Sequence, residues 1–146
     1  RLENGVQVLT RETDRFLGVH GVIDFGHSTR DLYPRLPPGL AHAVEHMIWK
    51  KPRKWMADQI SRQCDVHGIN AWTSHSYWGI TFHSQNGGWK SALSTISDVL
   101  HAPKFHRDLV DPELGVIRYE WRESLEDQHY LLEYLMYRLL WGGTGM

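Results

Sequence analysis

One stretch restricts this chain more than any other: Gly39-Leu40-Ala41-His42-Ala43-Val44-Glu45-His46-Met47. It reads as the first turns of a helix. Pro37 and Pro38 precede it, and proline suits a helix start because its missing N–H would have gone unpaired there. Lys50 and Lys51 follow near the end, where positive charge complements the helix dipole. On a helix, His42 and His46 share one face about one turn apart, so their imidazoles can hold one metal ion. Glu45 stands on the same side. It is too close to His46 in sequence to share the metal comfortably, but well placed to touch a metal-bound water. The fold must then bring a third donor to this helix, because catalytic zinc takes three protein ligands and keeps a fourth position open.

The order H-x-x-E-H is the inverse of the H-E-x-x-H zinc-peptidase signature. A pair of structural histidines on a buried helix would give the same five letters. Composition narrows the field. The 146 residues make one ordinary domain, and 41% hydrophobic content is enough for a real core. A net charge of −1 leaves no electrostatic footprint for nucleic acid. The run Lys50-Lys51-Pro52-Arg53-Lys54 resembles a nuclear-targeting signal but reads better as a solvated loop after a helix. Cys64 is the single cysteine, which excludes an intrachain disulfide and fits a reducing compartment. No run of apolar residues is long enough for a membrane helix, and no secretory or transit signal is present. With Arg1 at one end and Gly142-Gly143-Thr144-Gly145 near the other, the chain is expected to be a piece of something longer.

Periodicity supplies the elements. Asn4-Gly5 before Val6 and Val8 predicts a turn opening into a strand. Residues 17–25 form an apolar strand containing Gly18 and Gly21, and 26–38 a loop rich in proline and turn residues. After the histidine helix, residues 55–66 form a second helix with Met56, Ile60 and Cys64 on one face, ended by Gly68. Residues 71–82 are the next strand candidate, with Trp78, Ile80 and Phe82 alternating, and Asn86-Gly87-Gly88 breaks it. A helix over 89–101 follows, with Leu93, Ile96 and Leu100 on its stripe and Pro103 beyond its end. Residues 112–140 read as a long helix, broken near Asp127 or His129. There are no repeats or low-complexity tracts. This order predicts an α+β domain over 1–146, with a mixed, mainly antiparallel sheet and helices packed on one face.

The long helix offers the third donor. Glu113 and Glu120 are two turns apart on one face, separated by roughly 10 Å along the axis. Glu120 is a candidate ligand and Glu113 a candidate outer partner, with Glu123 close to the same stripe. A solvated acidic face is the alternative. Glu126-Asp127-Gln128-His129 has the E-x-x-H spacing of di-iron bundles, but those need two such motifs and the chain has one. His67, His75, His83, His101, His106 and His129 have no ligand-like spacing and read as surface or satisfied histidines.

Five stretches, taken in order, resemble the pitrilysin/insulinase family of inverzincin metallopeptidases, which includes mitochondrial processing peptidase. Leu2-Glu3-Asn4-Gly5-Val6 resembles the family's L-x-N-G turn, and residues 39–47 its G-L-A-H-x-x-E-H-M helix. Gly68-Ile69-Asn70-Ala71-Trp72-Thr73-Ser74 resembles G-x-x-N-A-aromatic-T, and Ala102-Pro103-Lys104-Phe105 the later P-x-F. Residues 113–120, with Ile117 between the two acids, resemble E-x-x-x-V/I-x-x-E. The resemblance implies Zn2+ held by His42, His46 and Glu120, the last of these 74 positions past His46. It implies Glu45 as the base that activates a zinc-bound water, and Glu113 as an outer support of the catalytic site. It also implies that Asn70, Ala71, Trp72 and Thr73 form a sheet edge for an extended peptide substrate. Ser76-Tyr77-Trp78-Gly79 departs from the family pattern, so substrate preference does not carry across.

Members of this family work as two similar halves, the second lending an arginine and a tyrosine to the substrate carbonyl. No stretch here matches that half. The resemblance therefore implies a zinc endopeptidase acting with a second homologous subunit or domain, this chain being a truncated N-terminal half. With no signal or membrane helix, it implies a bacterial cytoplasm or an organellar matrix. A non-catalytic scaffold or processing-partner subunit of the same fold is the alternative; the intact set of His42, Glu45, His46 and Glu120 argues against it. S-ribosylhomocysteine lyase also carries H-x-x-E-H, but its third ligand is a cysteine well downstream, whereas Cys64 is only 18 positions past His46.

Overall fold

The computed structural model describes residues 1–14, 17–26, 39–51, 54–74, 77–85, 87–101 and 105–141. Three strands and five helices follow one another along them: β1 (Gly18–Asp24), α1 (Leu40–Ile48), α2 (Lys54–His67), β2 (Asn70–Thr73), β3 (Trp78–Gln85), α3 (Trp89–His101), α4 (Arg107–Glu126) and α5 (Gln128–Trp141). This is the expected α+β class. The strands form an antiparallel sheet in the order β1-β3-β2. Its register sets Ile23 opposite Ile80 and Ala71 on the other side of Ile80. Successive strand residues face opposite sides, so β3 buries Ile80, Phe82 and Ser84 while His83 and Gln85 stay exposed. Ile80 and Phe82 meet Ile48 of α1, Ile69, Ala71, and Ala92, Ile96 and Val99 of α3. Ile60 and Cys64 of α2 pack against the same cluster, as their spacing predicts.

Two glycines explain local turns of the chain. Gly68 has φ +51 after α2, and the Ile69 N–H reaches back to the Cys64 carbonyl at 2.9 Å, the closure typical of a helix ended by glycine. At Gly79, a Cβ would stand 2.5 Å from the Ile23 carbonyl oxygen and 2.9 Å from the Trp72 ring. Only a residue without a side chain lets β1, β3 and the indole approach so closely.

The structure departs from the sequence reading in five places. The Asn4-Gly5 turn forms, with the Leu2 N–H on the Val6 carbonyl at 2.8 Å, but no strand follows. Val6 and Val8 are exposed, and the segment pairs with no strand among the described residues. The one strand expected over 71–82 is a hairpin, β2 and β3, closed where the Ser74 N–H bonds the Tyr77 carbonyl at 2.8 Å. The buried stripe of α3 is Ala92, Thr95, Ile96 and Val99, rotated from the expected one, so that Leu93 is exposed. The long helix starts earlier, at Arg107, and breaks at Asp127, whose carboxylate accepts from the His129 N–H at 2.8 Å and caps α5. Of the expected solvated basic loop, Lys51 is buried, while Pro52 and Arg53 lie outside the described residues. That burial pushes the Lys51 ammonium pKa down, against the pull of Asp98. The expectations for Pro37, Pro38 and the rest of the loop through 38, for His75, Ser76 and Pro103, and for 142–145 lie outside the described residues.

Candidate metal centre

Two helices far apart in sequence face each other to form the site. Gly39, at φ 79, turns the chain into α1, where the Ala43 N–H takes its carbonyl at 2.9 Å. The His42 and His46 rings meet edge to face, with their Nε2 atoms 3.1 Å apart. From α4, Glu120 brings Oε2 to 3.1 Å from His46 Nε2 and 3.5 Å from His42 Nε2. Donors bound about 2.0–2.2 Å from one zinc ion lie roughly 3–3.5 Å from each other, so the three atoms already have the spacing such an ion needs. Glu123, the competing acid, is exposed and stands outside this group.

The other faces of these residues are also engaged. His46 Nδ1 lies 2.9 Å from Glu113 Oε1, and Glu113 Oε2 lies 2.7 Å from Lys50 Nζ. With its proton on Nδ1, His46 donates to Glu113 and turns the Nε2 lone pair toward Glu120. Two electron-rich atoms 3.1 Å apart then call for a cation between them, which is the chemistry of this donor set. Burial alone would raise the Glu113 pKa. The hydrogen bonds from Lys50 and His46, with the positive charge of Lys50, outweigh burial and hold the carboxyl below its ordinary range. The Glu113 side chain is 11% exposed and that of Glu120 39%, so the cluster is closed behind His46 and open to solvent beside Glu120.

Glu45 does not join the three donors. Its Oε2 accepts a short hydrogen bond, 2.6 Å, from the Thr73 hydroxyl of β2. Of the proposed peptide-binding segment, Asn70 is exposed, Ala71 is buried, and Trp72 packs edge-on against Tyr77 with centroids 5.2 Å apart. One edge of β2 pairs with β3; no strand pairs with the other among the described residues. The Thr73 hydroxyl thus turns toward the candidate base.

Two groups escaped the sequence reading. Lys50 could have been found, since it lies four positions past His46, close to the end of the helix. The His20–His83 pair, with Nδ1 atoms 2.9 Å apart across β1 and β3, could not, because only the strand register brings them together. The other described histidines with recorded partners are satisfied locally, His67 beside Ser84 Oγ at 3.3 Å and His101 on Ser97.

The family model for insulinase (peptidase family M16) matches residues 11–143. The mitochondrial-processing peptidase subunit beta of Dictyostelium discoideum is 30% identical over 134 residues, covering 87% of this chain and 28% of that protein. The probable zinc protease PqqL of Escherichia coli is 29% identical over 93 residues, 58% of this chain and 10% of the relative. The A-factor-processing enzyme of Saccharomyces cerevisiae is 27% identical over 97 residues, 64% and 9% respectively. The chain spans less than a third of the length of each of these relatives. With a matched region that runs through both helices of the site, the chain belongs to the insulinase family, peptidase family M16.

Proposed function

We propose that this chain is the metal-bearing half of a zinc endopeptidase that cleaves extended peptides. The observation that carries the reading is the meeting of His42 Nε2, His46 Nε2 and Glu120 Oε2 at 3.1 to 3.5 Å from one another, with Glu45 on the same helix as the histidines. Zinc, when bound there, would supply a Lewis acid for the scissile carbonyl and a water acidified toward neutrality. Glu45 takes the proton of the attacking water and returns it to the leaving amine. Thr73 fixes one of its carboxylate oxygens and leaves the other for that transfer. Glu113 orients His46. A peptide lies along the free edge of β2, adding a strand by main-chain hydrogen bonds, with Asn70 to Thr73 setting its register.

Among the described residues, none is assigned as a donor to the negative charge that develops on the carbonyl oxygen. Such donors are commonly worth about 3–4 kcal/mol each. We assign them to a second homologous half, a reading supported by a relative that is itself named as a subunit. The experiment combines metal analysis with peptide cleavage, for the chain alone and together with its homologous partner. One zinc per chain is expected, with efficient cleavage only when the partner is present. Glu45→Gln is expected to keep the zinc and lose the cleavage. Zinc without cleavage in any combination would favour the non-catalytic subunit instead; no zinc at all would sink both the metal and the peptidase readings.

A further inference from the structure

His42 and His46 fall at successive turns of α1, Lys50 follows just past its end, and Glu120 and Glu113 stand opposite them on α4. The seam is ordered along its length. At one end Glu120 meets both histidines; at the other Glu113 is shared between His46 and Lys50. Lys50 touches no metal-ligating atom. Its Nζ is 2.7 Å from Glu113 Oε2, while the other oxygen of that carboxylate is 2.9 Å from His46 Nδ1. A carboxylate on a glutamate side chain has several rotamers open to it. Held at one oxygen by Lys50, it presents the other to His46 in a single orientation.

We propose that Lys50 is a positioning residue of the metal centre, acting through Glu113 to set the tautomer and ring orientation of His46; this rests on the metal-site reading above. The chain of contacts runs Lys50 Nζ to Glu113 to His46 Nδ1–H, leaving the His46 Nε2 lone pair aimed at the point where Glu120 and His42 converge. Outer partners of metal-binding histidines commonly change metal affinity by about 10–100-fold when removed. An ion pair that merely joined two helices would change stability and leave metal affinity alone.

The test uses the full-length protein carrying these residues. Zinc affinity is measured by competition with a chelating dye, and the His46 tautomer in the zinc-free protein by nitrogen NMR of the imidazole. Lys50→Met is expected to weaken zinc binding about tenfold or more and to turn a single Nδ1-protonated His46 into a mixture of tautomers. Lys50→Arg is expected to restore both. In a Glu113→Gln background, Lys50→Met is expected to add nothing, because both changes break one chain of contacts. If Lys50→Met unfolds the protein, Lys50→Gln, which keeps a donor without the charge, takes its place in every arm. Unchanged zinc affinity in the Lys50 variant, an unchanged tautomer, or effects that simply add to those of Glu113→Gln would each overturn the proposal. Failure of the unaltered protein to bind zinc would instead overturn the metal reading, and the tautomer measurement would still decide whether Lys50 controls His46.

Discussion

Thr73→Val removes one hydroxyl and little else. Valine suits a strand, and the pairing of residue 73 with Trp78 runs through the backbone. What goes is the 2.6 Å bond to Glu45 Oε2. A bond that short to an ionised carboxylate is at the strong end of its kind, and hydrogen bonds to charged groups contribute about 1.5–3 kcal/mol. If all of that served to place the base in the transition state, turnover would fall roughly 10- to 150-fold. The bond is already made before the reaction begins, so only the part of it that strengthens in the transition state is lost from the rate. The expected result is therefore near the lower bound, about tenfold in kcat, with KM little changed. Zinc content should not move, since Thr73 touches none of the three proposed ligands. Thr73→Ser keeps the donor and should keep most of the activity. The assay is steady-state cleavage of a fluorogenic peptide by the partnered enzyme, with zinc counted on the same samples. An unchanged kcat in Thr73→Val, or an equal loss in Thr73→Ser, would refute the reasoning.

Two further outcomes are expected. Glu120→Gln should weaken zinc binding by more than the 10–100-fold typical of outer partners, while Glu123→Gln, at an exposed position outside the donor group, should leave it within twofold; chelator competition reads both, and equal effects would reverse the assignment. Gly79→Ala should destabilise the fold by about 1–3 kcal/mol, because its Cβ would be forced against the Ile23 carbonyl and the Trp72 ring. Urea denaturation measures it, and a midpoint equal to that of the unaltered protein would contradict the close approach.

Spacing within one helix was the most legible part of this chain. His42 with His46, and Glu113 with Glu120, have their shared faces fixed by helical geometry before any packing is known. That these two faces meet came from the family resemblance, and the contacts at 3.1 and 3.5 Å agree with it. Contacts that depend on strand register were invisible. Thr73 reaches Glu45, and His20 reaches His83, only because the sheet pairs as it does. Apolar residues misled where burial depends on neighbours. Leu93 lost its expected place to Ala92 and Thr95, since the side of α3 that meets the sheet has room for small side chains. On α5, Leu135 and Leu139 follow helical spacing and form a helix, yet both are exposed, at 47% and 85%. Periodicity predicted the helix and not what it would face.

The placement of α1 has one more consequence. This short helix carries both the proposed ligands and the proposed base, but each is held by a different neighbour: the histidines by acids of α4, Glu45 by a hydroxyl of β2. Inheritance can therefore act on them separately. A substitution on α4 can erode metal affinity without moving Glu45, and one on β2 can disable the base while the metal donors stay in register. On the proposed reading, drift along the second route would yield a descendant that keeps every metal donor in place and has become an adaptor.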